Sequence, residues 1–195
     1  MISLEQEIKQ YFTEHNIAFD DYSSSLKLPD FGYGDRNSKR YFFFDAKEKC
    51  EPYRIKNWPQ AKMPEKNLFI LDDLAARKIL AFAPNSGLVV RDDKHNSYHL
   101  FTVVDLFLMP KIRANRKINR QIETLKGKWL IDLRNSVCCS NLTAVFQTIE
   151  HYLDERENIF TNILECYGDY RGEKIDRGGI TRVPKYWPKD YDRTR

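Results

Sequence analysis

The chain is poor in the residues that staple small proteins together. Its four cysteines, Cys50, Cys138, Cys139 and Cys166, form no CxxC pair, and none of its four histidines stands at zinc-ligand spacing from them. A zinc site and a disulfide framework are both disfavoured, and adjacent Cys138 and Cys139 read as packing residues. No apolar run approaches the roughly 20 residues that cross a bilayer. Met1 leads directly into a helical pattern carrying Glu5 and Glu7 rather than into a signal sequence. These absences predict an intracellular, cytoplasmic, soluble protein with no membrane contact. No internal repeat is apparent, and neither sign of charge dominates: 32 Lys and Arg against 28 Asp and Glu leave a net +4.

What is present suits one compact α/β domain with embellishments, since 195 residues of which 42% are hydrophobic can fill a sizeable core. Ser3 and Gln6 form a capping box ahead of Leu4, Ile8, Tyr11 and Phe12, predicting a first helix from Leu4 to about Asn16. A short strand from Ile17 to Phe19 and a second from Leu26 to Phe31, carrying Asp30, precede the turn Gly32-Tyr33-Gly34-Asp35. The run from Tyr41 to Phe44 is a strand that breaks into charge at Asp45 and Lys47. Side chains alternate across a strand, so Tyr41, Phe43, Asp45, Lys47 and Lys49 share one face, and Phe42, Phe44, Ala46 and Glu48 the other. Asn67 to Leu71 reads as a strand, and Asp72 or Asp73 caps a helix from Leu74 to Phe82. Gly87 to Arg91 and Tyr98 to Leu108 form a hairpin in which His95, in the turn, is exposed and His99, alternating with Leu100 and Phe101, is structural. A further strand covers Trp129 to Leu133. Leu142, Val145, Phe146, Ile149, Leu153, Phe160 and Ile163 then track a long helix, capped at Ser140 or Asn141, to about Tyr167 with a break near Asp154 to Asn158.

The chemistry concentrates between Leu28 and Lys49. Asp45 and Lys47 project side by side where a strand leaves the core, and Asp30, if it ends a neighbouring strand, reaches the same point. Two carboxylates and a lysine suit metal-assisted phosphodiester hydrolysis: hard oxygen ligands hold Mg2+ or Mn2+, and the ammonium neutralises charge growing on phosphorus. Asp35 is the rival first acid, but Gly-Asp ahead of Arg36 and Asn37 reads as a turn. The same residues also admit a plain reading, a Pro-Asp turn and a strand-end ion pair between Asp45 and Lys47. Pro29-Asp30 followed by Asp45-Ala46-Lys47 resembles the PD-(D/E)XK nuclease superfamily over roughly the first half of the chain. The resemblance implies a restriction-endonuclease-like fold, a mixed central sheet flanked by helices, here with a C-terminal helix and an extended tail. It implies that Asp30 and Asp45 bind metal and Lys47 serves the water, with a glutamate of the first helix completing the set, Glu7 ahead of Glu5. It implies a Mg2+- or Mn2+-dependent DNA endonuclease from a mobile-element, defence or recombination setting, working as a homodimer or with a protein partner.

Four segments follow from this reading: a nuclease-like core over 1–110, a basic connector over 111–128, a strand and long helix over 129–167, and a basic and aromatic tail over 168–195. Tyr53, Arg54, Lys56 and Trp58 interleave base and ring and are candidates for nucleic-acid contact. The alternative for them is a loop packed down by Trp58 and Pro59. Lys111, Arg113, Arg116, Lys117, Arg120, Lys126 and Lys128 face a single acid, Glu123, the electrostatic footprint of a loop or helix lying on nucleic acid. The tail, with Tyr170, Arg171, Arg177, Arg182, Tyr186 and Trp187, orders only when held. The competing function is a non-catalytic nucleic-acid-binding or assembly subunit of the same fold, and RNA is not excluded as the ligand.

Overall fold

The computed structural model describes residues 2–119 and 122–161, with side chains over 2–116 and 125–156. Arg120, Cys166 and the tail over 168–195 lie outside the described residues, as do Ile163 and Tyr167 of the expected long helix; the side chains of Lys117, Glu123 and Phe160 do too. The fold is mixed α/β, a central mixed sheet with helices on both faces. Helix α1 (Leu4–Glu14) starts on the reciprocal Ser3 and Gln6 capping box and buries Leu4, Ile8 and Phe12 along one stripe. Strands β1 (Phe19–Asp21), β2 (Phe31–Tyr33) and β3 (Phe42–Lys49) follow as an antiparallel meander. After a long connection come β4 (Leu68–Asp72) and helix α2 (Asp73–Ala81), and β5 (Ser86–Asp92) returns parallel to β3. Strand β6 (Ser97–Thr102), helix α3 (Val103–Leu108), β7 (Ile112–Asn119), β8 (Ile122–Asp132), β9 (Val137–Cys139) and helix α4 (Leu142–Thr161) complete the chain. The main sheet has the order β1-β2-β3-β5-β6-β9, and a second sheet runs β4-β8-β7.

Alternation along the strands sorts the core into layers. Phe42, Phe44, Ala46, Val89 and Leu100 turn to one face and pack with α1 and α4 through Phe12, Val145, Phe146 and Ile149. Phe12 and Phe146 meet with ring centroids 4.7 Å apart; an aromatic buried this fully contributes about 3–5 kcal/mol over alanine. The other face, with Leu88, Val90 and Phe101, receives Ala75, Ala76 and Ile79 of α2 and then Phe69, Leu71, Trp129 and Ile131 of the second sheet. Being covered on both sides, β5 is buried along its whole length. Outside the second sheet, the connection after β3 packs Trp58 and Ala61 onto Leu68 and Leu130.

Several elements differ from the sequence expectation. Asp30 stands just ahead of a strand rather than within one. Pro29 has no N–H to donate, and the Asp30 N–H goes to the Asp45 carboxylate at 3.0 Å instead of to a ladder. Strand β3 does not break at Asp45, because β5 pairs with it in register from Phe43 to Lys49 and satisfies its backbone whatever the side-chain charge. The segment from Tyr98 to Leu108 is half helix, since Thr102 and Asp105 form a reciprocal capping box that starts α3. Within the basic tract, residues 112–119 and 122–128 are strand rather than loop or helix, forming β7 and most of β8, which pair antiparallel. Helix α4 begins on the Asn141 cap and continues through the expected break. Among the described residues no helix is long and apolar enough to cross a membrane.

Candidate active site

Strand register assembles the site. Phe31 lies opposite Phe44 in the β2–β3 pair, so one step further along the same antiparallel register brings Asp30 opposite Asp45. Reciprocal bonds hold the two together: the Asp30 N–H donates to Asp45 Oδ1 at 3.0 Å, and the Ala46 N–H donates to Asp30 Oδ2 at 3.0 Å. Lys47, two residues past Asp45 and therefore on its face, donates from Nζ to Asp30 Oδ2 at 2.6 Å and to the Ala46 carbonyl at 3.0 Å, with Asp45 Oδ2 3.5 Å away. The structure thus brings Asp30, Asp45 and Lys47 within contact of one another.

A fourth charged group, absent from the sequence expectation, completes the cluster. Lys78 of α2 donates to the Leu28 carbonyl at 2.8 Å and lies 3.3 Å from Asp45 Oδ1 and 3.7 Å from Asp30 Oδ1. Its side chain is only 12% exposed. Lysines seldom go so deep without partners, and the two acids supply them. The signal was available: Lys78 sits three residues after Ala75 and one before Ile79, on the stripe that α2 buries.

The cluster is electrostatically tense. Burial pushes the Asp45 carboxyl above the usual aspartate range, with the charge of Asp30 adding and those of Lys47 and Lys78 opposing. Burial works against the Lys47 ammonium, but Asp45 and Asp30 outweigh it and hold Lys47 above the usual lysine range. Lys47 is therefore an ammonium in the free cluster. Asp45 is fully buried, and among the described residues its Oδ2 has no hydrogen-bond partner, only the Lys47 ammonium 3.5 Å away. An ionised oxygen left that way is costly unless something binds it.

The helix acids divide differently from expectation. Glu7 turns away: its Oε2 meets Arg91 Nη1 at 2.5 Å and its Oε1 accepts from the Tyr98 hydroxyl. Glu5 is the acid that faces the cluster. Burial first, and the charge of Asp30 next, push its carboxyl up, while Lys47 pulls it down. Both glutamates flank the buried stripe of α1, on opposite sides, and the flank carrying Glu5 lies toward the β2–β3 edge.

An open groove of about 400 Å3 runs from this cluster, lined by Asp45, Lys47 and Lys78 at one end and by Tyr53, Asp72 and Lys126 along the wall. Among the described residues no group of three or more His, Cys, Asp and Glu side chains forms a ready metal cage. Mg2+ asks for less, taking one or two carboxylates and filling its octahedron with water and substrate phosphate. The unsatisfied Asp45 Oδ2, the Asp30 carboxylate beside it and the hard-oxygen character of both fit such an ion.

The expected nucleic-acid residues separate. Arg54 and Lys56 are exposed. Trp58 is 6% exposed, with the Arg116 guanidinium 5.1 Å from its ring centroid, so no base can stack on it. Lys111 closes the end of α3, donating to Phe107 and Met109 carbonyls at 2.9 and 3.3 Å. Arg113 is exposed, its guanidinium 5.0 Å from the Trp129 ring centroid. Arg113 and Arg116 have no carboxylate partner among the described residues. The Lys117 side chain and Arg120 lie outside them.

No family model matches the chain, and no curated protein matches it. Among solved structures, the chain is similar to Hjc, a Holliday junction resolvase from the archaeal hyperthermophile Archaeoglobus fulgidus, with 12% identity and a TM-score of 0.38 over 67% of this chain and 88% of that one. It is also similar to a nuclease from a fusselovirus, with 8% identity and a TM-score of 0.39 over 79% of this chain and 89% of that one.

Proposed function

We propose that this protein is a Mg2+- or Mn2+-dependent endonuclease that hydrolyses DNA phosphodiester bonds at the cluster of Asp30, Asp45 and Lys47. The observation that supports this reading is the opposed Asp30 and Asp45 pair with the buried, unsatisfied Asp45 Oδ2 and Lys47 on the same face. Stability alone gives no reason to leave a buried carboxylate oxygen with a 3.5 Å ion pair and no hydrogen bond, and this one belongs to a residue that lines a groove.

On this reading Asp30 and Asp45 hold the cation, with Glu5 rather than Glu7 as the helix acid beside them. A hard divalent ion so bound supplies Lewis acidity toward the phosphate and toward water. The remaining work belongs to the chain. Lys47, kept protonated by its two acids, faces the charge that accumulates on the phosphorane oxygens, where a fixed ammonium stabilises the transition state more than the ground state. Lys78 anchors Asp45 and Asp30 from behind and ties them through the Leu28 carbonyl to the loop that carries Pro29. The groove walls admit the substrate strand and limit water at the reacting phosphorus. Asp45→Asn is the test: supercoiled plasmid nicking in Mg2+ should be lost while duplex binding in EDTA is retained. Nicking at the parent rate by Asp45→Asn refutes the assignment, and tight, salt-sensitive binding by a parent that never nicks favours a non-catalytic subunit.

A further inference from the structure

Asp72 stands at the N-cap position of α2, where an aspartate ordinarily turns its carboxylate back onto the free N–H groups of the helix. Here it makes no side-chain capping bond. The carboxylate leaves the helix and bridges the ammonium groups of Lys126 and Lys128 on β8. Lys128 is its direct neighbour in the β4–β8 register, but Lys126 lies two residues beyond, past the end of β4. Directly across from Lys126 on β7 stands Arg116, and like charges opposed across a ladder repel. Opposed and alternate residues of an antiparallel pair share a face, so Arg116 stands on the face of Lys126 and Lys128, but its guanidinium lies 5.1 Å from the Trp58 ring centroid and only the two lysines share the acid. Asp72 and Lys126 line the same groove as Asp45, Lys47 and Lys78. Burial works to raise the Asp72 carboxyl, and the two lysines outweigh it and hold it below the usual aspartate range; it stays an anion.

We propose that Lys126 and Lys128 form a phosphate subsite for the nucleic-acid strand next to the reacting position, and that Asp72 fills it in the free protein as an internal stand-in for a phosphodiester. The proposal rests on the nucleic-acid reading of the groove. In the free protein the carboxylate relieves the repulsion between the two lysines. Substrate entry then exchanges one anion for another at this point, so a lone phosphate gains little there. A polyanion that also engages the rest of the groove displaces the carboxylate.

The test is fluorescence anisotropy with a short labelled DNA duplex in EDTA. It compares the parent, Asp72→Asn, the double variant Lys126→Gln/Lys128→Gln and their combination, with thermal melts to verify folding. Asparagine caps a helix as well as aspartate, so α2 keeps its start. Asp72→Asn should bind about 3- to 10-fold more tightly, with a log–log salt slope steeper by about 1 because the freed cations now shed counterions. The lysine double variant should bind more weakly, and adding Asp72→Asn to it should change nothing. An Asp72→Asn gain that persists undiminished without the lysines is general electrostatics and overturns the subsite, as does no gain at all. Failure of the parent to bind duplex or single strand overturns the subsite and the nucleic-acid reading together, whereas normal parent binding with an inert Asp72→Asn overturns the subsite alone.

Discussion

Replacing Lys78 by methionine removes one charge from the acid cluster while keeping an unbranched, helix-favouring side chain of similar length. The ammonium lies 3.3 Å from Asp45 and 3.7 Å from Asp30 and is 12% exposed on the side chain. At an effective dielectric of about 20, each contact is a gross attraction of roughly 4–5 kcal/mol. Much of that is spent desolvating the lysine, a cost the methionine does not incur. The remaining effect is that of leaving two buried carboxylates to share Lys47 alone, about 3 kcal/mol, the lower end of the cost of breaking a buried pair. For a chain of this size the metal-free midpoint should fall by about 6–12 °C. A divalent ion between the acids returns the missing charge, so the variant should gain more from Mn2+ than the parent, whose gain at a hundredfold excess over Kd is about 2.7 kcal/mol. Circular-dichroism melts in EDTA and in Mn2+ read both quantities. A metal-free midpoint within about 2 °C of the parent, or a metal-induced rise no larger than the parent's, would sink the idea that Lys78 counterbalances the acids.

Asp45→Asn should lose the Mn2+-induced rise altogether, along with cleavage; calorimetric titration with Mn2+ is the second readout, and undiminished heat contradicts the assignment. Glu5→Gln should weaken Mn2+ binding with little change in urea stability. Glu7→Gln should do the reverse, costing about 1–3 kcal/mol by stripping Arg91 of a charged partner, and the opposite pattern would return the helix acid to Glu7. Burial holds the His99 imidazole below its ordinary value, with Asp92 opposing. A depressed folded value means that its contribution to stability is complete above the unfolded value near 6.5 and is lost as pH falls through the folded value. The urea midpoint should therefore decline below about pH 6.5, and His99→Gln should flatten that part of the profile; an unchanged slope speaks against it.

How much of this was legible in the sequence depended on the range over which each feature is decided. The alternation from Phe42 to Lys49 is local, so the faces of β3 were correct even though its end was not. Aligning Phe31 with Phe44 would have given the Asp30 and Asp45 pairing from spacing alone, because a short antiparallel connection leaves few registers. Glu5 and Glu7 could not be separated that way. They lie on opposite flanks of one helical stripe, and which flank meets the sheet edge depends on how α1 crosses β3, a long-range matter. The basic tract concealed its strands for another reason. Charge at Arg113, Arg116, Lys117, Lys126 and Lys128 masks the period-two signal, of which Ile112 and Ala114, packed toward Trp58 and Leu130, are the visible remainder. Trp58 looked available because the residues that bury it arrive from β4, β7 and β8.

Charge bookkeeping connects the two ends of the groove. Asp30 and Asp45 against Lys47 and Lys78 sum to zero, with Glu5 adding one negative charge nearby. Two like carboxylates in register could not both stay ionised without those lysines, so the metal-free fold depends on them. On the proposed reading a divalent ion bound there would reverse the sign, leaving a positive cluster in a groove that Asp72 and Lys126 also line. If that ion binds, cation and phosphodiester strand should each raise affinity for the other. Lys47 would then serve two purposes with one charge, holding the acids together while the site is empty and facing a phosphate once it is full, whereas Lys78 keeps to the first.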